Sequence, residues 1–198
     1  MDDRPVRISP QQPHEWSDAT RAELAGVVPT GGSTRPVHLP GVIAHHPTLL
    51  APYLVWAKAV ALHGVLAPRD NALLALRTAV RARSAFEWGV HADSAPTRAG
   101  LRPDELDAIG VGPADPSWSD RDRALLQAAD ELHDHNSVSD VTWEALGNDH
   151  DDAARLEIVF VVGHYTMLSM VANSSGVAPE PHWRPLPPAV PPATAPAT

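Results

Sequence analysis

The sequence contains no cysteine. That absence excludes a disulfide framework, thiolate metal ligands, a CxxC redox pair and a cysteine nucleophile, and it agrees with a reducing cytoplasm. Positive charge is also scarce. Fifteen Lys and Arg stand against 24 Asp and Glu, for a net charge of -9. Such a surface repels phosphate backbones, so no nucleic acid is expected as a partner. No uninterrupted apolar run approaches a membrane span, which needs about 20 residues; Ile158 to Val162 is the longest candidate. The start, Met1-Asp2-Asp3-Arg4, lacks the apolar core of a signal peptide. The expectation is a soluble, cytoplasmic protein with no membrane partner. Tandem repeats and a convincing strand pair are missing too.

What is present reads as helix. The 198 residues fit one domain with extensions. Residues 1–40, rich in Pro, Gly and Thr, form an N-terminal arm with one short helix from Asp18 to Leu24 and a loop at Thr30-Gly31-Gly32-Ser33. Residues 41–176 form the helical domain. Residues 177–198 carry eight of the 21 prolines, cannot sustain helix or ladder, and are expected to form a disordered or polyproline-like tail. Within the domain, helices are expected from Pro47 to Gly64 and from Pro68 to Arg83. Ser84 opens the next, which runs to Ala99, with Gly100 as its stop. Further helices follow from Pro103 to Ile109, from Ser119 to His133 and from Ser139 or Asp140 to Leu146. The last runs from Asp151 to Asn173. Its middle, Ile158 to Val162, is apolar all round, with a buried strand as the rival; length decides for helix, and such a helix belongs inside a bundle or at a subunit interface. The fold class is therefore all-α, a bundle of seven or eight helices.

Chemistry concentrates in Ser84-Ala85-Phe86-Glu87-Trp88-Gly89-Val90-His91. Ser84 and Glu87 match the S-x-x-E capping box, which by itself accounts for both. Glu87 and His91 lie four apart and share a helix face, about 6 Å apart at Cβ. A carboxylate so placed orients an imidazole and supports a proton on it, which suits general acid–base work. Trp88 and Phe86 line a pocket or pack in the core. His164 and Tyr165 interrupt the apolar final helix and need hydrogen-bond partners, whether substrate oxygen or a subunit interface. Asn173 binds a carboxylate or caps the helix end. Arg77 matches a substrate carboxylate or pairs with Asp130, Glu131 or Glu157. Metal ligation by His63, His91 and His164 with Glu157 is a minority reading, since no H-E-x-x-H motif occurs. His133, His135 and His150 sit in acidic segments expected to face solvent. No G-x-S-x-G elbow occurs, so Ser84 is a cap before it is a nucleophile.

The segment from about Val42 to Gly176 resembles the carboxymuconolactone decarboxylase and alkyl hydroperoxidase-D superfamily. The resemblance is carried, in order, by Ala44-His45-His46-Pro47, by Leu66-Ala67-Pro68-Arg69-Asp70, by Leu73 to Ala79, by Phe86 to His91, by Ala95 with Ala99-Gly100-Leu101, by Asp130-Glu131-Leu132, by Trp143, and by Leu156-Glu157 through Asn173. It implies an all-α fold, assembly as trimers or hexamers, and no organic cofactor. The peroxidase branch carries CxxC followed by His; here those positions are Ser84, Glu87 and His91, so thiol peroxidase chemistry is impossible. The decarboxylase branch is similar to this chain in placing a Glu four residues before a His. A Glu that often opens the helix of the Leu-Arg-Thr-Ala run is Ala72 here, so a relay through it is lost or replaced.

These readings converge on a cofactor-independent enzyme acting through an enolate on a small organic acid, lactone or polyketide-like carbonyl compound, by decarboxylation, isomerisation, cyclisation or elimination. His91 moves the proton, Glu87 orients it, and Tyr165 or His164 stabilises oxygen, with Ser84, Phe86, Trp88, Arg77 and Asn173 as candidates for holding substrate. Two alternatives stand beside it: a catalytically silent binding or assembly protein on the same fold, and a His-ligated metalloenzyme.

Overall fold

The computed structural model describes residues 5–25 and 38–188. Among the described residues there are nine α-helices, one short 3-10 turn at Pro13–Glu15 and no β-strand. The helices are α1 (Asp18–Leu24), α2 (His38–Ile43), α3 (Pro47–Leu62), α4 (Pro68–Arg81), α5 (Ala85–Arg98), α6 (Pro103–Val111), α7 (Asp120–His135), α8 (Asp140–Leu146) and α9 (Asp152–Ser175). The sequence signals placed all but α2, whose internal Pro40-Gly41 argues against helix. The expected loop at Thr30 to Ser33 lies outside the described residues.

The helix at the centre is α4. Leu73, Leu74, Ala75, Leu76 and Ala79 are fully buried, and the helix packs on α5, α6, α7 and α9. The apolar α9 was expected to be buried all round or to lie at an interface. It buries Ile158, Val161, Val162, Tyr165 and Leu168 but turns Leu156, Phe160, Met167 and Met170 outward. By length and composition α9 is apolar enough to cross a membrane, although its inner face forms part of the bundle core.

The arm folds back on its own domain. The Arg7 and Ile8 amides donate to the Ser175 carbonyl at 2.7 and 3.2 Å. Trp16 and Leu24 form a second small core with Ala44, Leu50 and Leu54.

The tail departs from expectation over residues 177–188, which pack on the domain instead of trailing free. The reason lies in two helical glycines. A Cβ on Gly89 of α5 would lie 2.6 Å from Trp183, and one on Gly110 of α6 would lie 2.8 Å from Pro187. Trp183 also meets Phe86 and His38 edge-on or tilted. His38 pairs with Glu180 at 2.5 Å, and Arg184 pairs with Asp107. Proline prevents regular structure here without preventing docking. Residues 189–198 lie outside the described residues. A sign reversal tests the contact. Gly→Ala inside a helix ordinarily stabilises by about 1 kcal/mol. Gly89→Ala is expected to destabilise by about 1–3 kcal/mol in urea unfolding; a stabilised variant would show that Trp183 does not dock there.

Candidate active site

The link between α4 and α5 explains the state of Glu87. Arg83 adopts a left-handed backbone conformation, φ 51°. The Ser84 amide donates to Ala79 O at 2.9 Å and the Arg83 amide to Val80 O at 3.1 Å, the paired bonds of a Schellman ending. Ser84 then serves as N-cap of α5, its hydroxyl accepting from the Glu87 amide at 3.3 Å. The expected capping box does not close, because its reciprocal bond needs the Ser84 N–H that Ala79 already holds. The Glu87 carboxylate is buried and turns along the helix toward His91, Oε2 to Nε2 3.6 Å.

Four positions of α5 continue that direction. Glu87, His91, Ser94 and Arg98 recur at i, i+4, i+7 and i+11, one face of a helix. His91, Ser94 and Arg98 line a chamber of about 450 Å³ with Asn71, Glu157 and Tyr165. Ala72 lines it too. Glu157 is anchored there by the Val65 amide at 2.6 Å. A side chain on Gly64 would occupy the space of that carboxylate.

Opposite α5, α9 contributes a row of rings. Tyr165 stands edge-on to His91 with centroids 4.6 Å apart. His164 follows at 5.0 Å from Tyr165 and stacks on Tyr53 of α3 at 6.2 Å. Burial first, and then the Glu87 charge, hold the Tyr165 phenol above its ordinary value, against a smaller opposing pull from Arg98. Burial, Glu87 and Tyr165 do the same to Tyr53. Both phenols are therefore protonated donors at neutral pH. His164 is pushed down to about 4, by burial first and by His91 second, so its ring is neutral. The Trp56 indole donates to its Nδ1 at 3.1 Å. Indole can only donate, so the His164 proton sits on Nε2.

The His164 shift has a stability consequence. An unfolded imidazole titrates near 6.5 and the folded one near 4, so the unfolded chain takes the proton first. Stability from this group is present above the unfolded value and is lost as pH falls through that window. Between pH 6.5 and 4.5 the wild type is expected to lose about 2 kcal/mol more than His164→Gln in urea unfolding. Parallel pH curves for the two proteins would refute this.

The remaining sequence candidates lie elsewhere. Arg77 is buried in a two-pronged pair with Asp130, both contacts at 2.6 Å. Phe86 packs against His38 and Trp183, and Trp88 is sealed in the main core. The Asn173 amide donates to Ala82 O at 2.9 Å, tying the end of α9 to the end of α4. None of the four lines the His91 chamber. His150, expected at the surface, is buried with Nε2 3.3 Å from Asp70 Oδ2; the segment before α9 tucks it beside the carboxylate that also holds Arg121. Among the described residues no three His, Cys, Asp or Glu side chains gather as a metal site, so His63, His91, His164 and Glu157 do not converge. Asn71, Ser94, Arg98, Tyr53 and Trp56 were not singled out from sequence.

Residues 47–131 match the model of the carboxymuconolactone decarboxylase family. An uncharacterized peroxidase-related protein from Ralstonia eutropha JMP134, described as an alkylhydroperoxidase AhpD core, is similar with a TM-score of 0.75 and 18% identity, covering 90% of this chain and 94% of its own. Over residues 47–131 the chain is similar to the carboxymuconolactone decarboxylase family, and over most of its length it shares the AhpD-like fold. A debrominase, Bmp8, solved as a cysteine-to-alanine variant with 2,3,4-tribromopyrrole, is similar with a TM-score of 0.71 and 14% identity, covering 91% of this chain and 95% of its own. A peroxidase-related protein from Silicibacter sp. TM1040 is similar with a TM-score of 0.62 and 17% identity, covering 72% and 76%. No curated protein matches the chain by sequence. The chain carries no cysteine, and the His91 chamber is lined by that imidazole, the Glu157 carboxylate and the Tyr165 phenol.

Proposed function

We propose that this protein is an acid–base enzyme that processes a small carbonyl compound through an enolate at the His91 chamber, with no thiol chemistry and no organic cofactor. The observation that carries the reading is the buried Glu87 carboxylate 3.6 Å behind His91, whose ring lines a chamber together with the protonated Tyr165 phenol. Glu87 orients the imidazole and balances its charge when it holds a proton. Tyr165 O–H, with the neutral His164 behind it, stabilises developing negative charge on a substrate oxygen.

In decarboxylation, the electron pair of the breaking carbon–carbon bond passes into the adjacent carbonyl and carbon dioxide leaves. His91 then delivers a proton to the enolate carbon. In isomerisation, the same ring removes a proton from one carbon and returns it to another. Bmp8 in complex with a halogenated pyrrole supports a small organic ligand on this fold.

The test is incubation in D2O with a panel of β-keto acids and lactone acids, without added cofactor and after treatment with chelator. Deuterium appearing at the carbon next to the carbonyl, with or without loss of carbon dioxide, is expected for at least one class. Ligand binding across the panel with no exchange and no turnover would favour a binding protein instead.

The same reading includes assembly. Leu156, Phe160, Met167 and Met170 lie along one exposed face of α9, and Trp56 meets Phe160 edge-on at 5.4 Å, joining α3 to that face. An apolar face of this extent suits contact between copies in a trimer or hexamer. Light scattering is expected to give a multiple of the 21.2 kDa chain; a monomeric mass at micromolar concentration would overturn this part.

A further inference from the structure

Arg98 ends the α5 stripe and has a property few arginines here share. Seven of the described arginines are ion-paired with carboxylates. Arg98 has no hydrogen bond or ion pair among the described residues, although the chain carries an excess of acids. A cation at a helix C-terminus is favourable in itself. That does not account for its surroundings. Arg98 lines the His91 chamber, and it also lines a second, mostly apolar chamber of about 240 Å³ formed by α2 and α3. Ala61 and Leu62 are shared by the two chambers as well. Lys58, the chain's only lysine, lines the second chamber beside Arg98. Two cations with no ion pair among the described residues thus stand where the His91 chamber meets an apolar one.

We propose that the substrate is an amphipathic carboxylic acid held by Arg98, with Lys58 in support. Its carboxylate lies at the junction of the two chambers. Its reacting carbonyl end reaches His91 and Tyr165, seven residues or about 10 Å up the helix from Arg98. Its apolar substituent enters the chamber of Leu39, Ile43, Leu50 and Leu54. Guanidinium suits the carboxylate because it offers two parallel donors to two oxygens. The burial of an alkyl or aryl group then adds affinity in proportion to its area. This assignment rests on the reading of the His91 chamber as the reactive one, but it concerns recognition and not the proton.

Octanoate and 1-octanol are the probes, because they share a chain and differ in charge, and neither offers a second carbonyl for His91 to act on. Calorimetric titration of the full-length protein is expected to give a dissociation constant for octanoate below about 1 mM, at least about tenfold tighter than for 1-octanol. Arg98→Gln, at an exposed position, is expected to remove that preference while leaving 1-octanol unchanged. Arg98→Lys keeps part of it. Ala57→Trp, which fills the apolar chamber, weakens both ligands. Equal affinity for acid and alcohol in the wild type, or an undiminished preference in Arg98→Gln, would overturn the inference. Octanoate binding does not depend on proton transfer, so such a result leaves the acid–base reading standing. Turnover that survives loss of His91 would sink that reading while leaving the Arg98 subsite intact.

Discussion

His91→Asn is expected to reduce turnover by about 10²–10⁴-fold, the contribution of a positioned general acid or base, with little change in fold. The structural cost is small because His91 is about a quarter exposed, at 26%. Asparagine in its place leaves no fully buried void. The loss belongs in kcat, since the ring acts where a proton moves and not where substrate is gripped. Glu87→Gln keeps the shape and removes the charge. It should cost less than His91→Asn, because it leaves an imidazole that is poorly oriented but still able to transfer a proton. Melting temperatures of both variants measured beside the rates separate chemistry from folding. A His91→Asn enzyme within about threefold of wild type in kcat would remove the imidazole from the mechanism.

Much of the fold was legible because its signals are local. Proline at a first turn, serine before a helix and glycine after one set the ends of α3, α5, α8 and α9. What the sequence concealed depends on contacts between distant segments. The S-x-x-E match at Ser84 and Glu87 was real as a pattern, yet the left-handed turn at Arg83 commits the Ser84 amide to α4, and this redirects Glu87. No scan of α5 alone reveals that. The docking of Trp183 was hidden by its proline-rich setting, although an otherwise unexplained Gly89 in the middle of α5 was a clue. Arg98 and Ser94 were findable. Extending the Glu87–His91 pair by the same helical period reaches both. Of the two readings of Arg77, carboxylate ligand or partner of Asp130, Glu131 or Glu157, the structure forms the Asp130 pair, whereas Arg98 lines both chambers with no ion pair among the described residues.

Arg77→Ala is expected to be the most damaging change to stability, about 3–5 kcal/mol, out of a total that for small domains is about 5–15 kcal/mol. Arg77 is 5% exposed. Its Nε and Nη2 each meet an Asp130 oxygen at 2.6 Å, and its Nη1 donates to Ile109 O at 2.9 Å and Gly110 O at 3.3 Å. One side chain on α4 thereby holds the carboxylate of α7 and the C-terminal carbonyls of α6. Alanine would leave the Asp130 charge and two carbonyls without donors, and that desolvation penalty dominates the loss. The neighbouring backbone has closed around the guanidinium. Gly112 sits at φ 100°, and a Cβ there would lie 2.4 Å from Arg77 Nη2. Lysine cannot substitute fully, because a point charge does not reproduce the fork. The double variant Arg77→Met with Asp130→Leu removes both charges together and should recover much of the loss, since a buried pair and a well-packed apolar pair differ little in net worth. Chemical denaturation of the two single variants and the double variant gives the coupling directly. If Arg77→Ala kept wild-type stability and instead lost affinity for an acid substrate, the arginine would be a ligand after all; the geometry assigns that part to Arg98, one helix away.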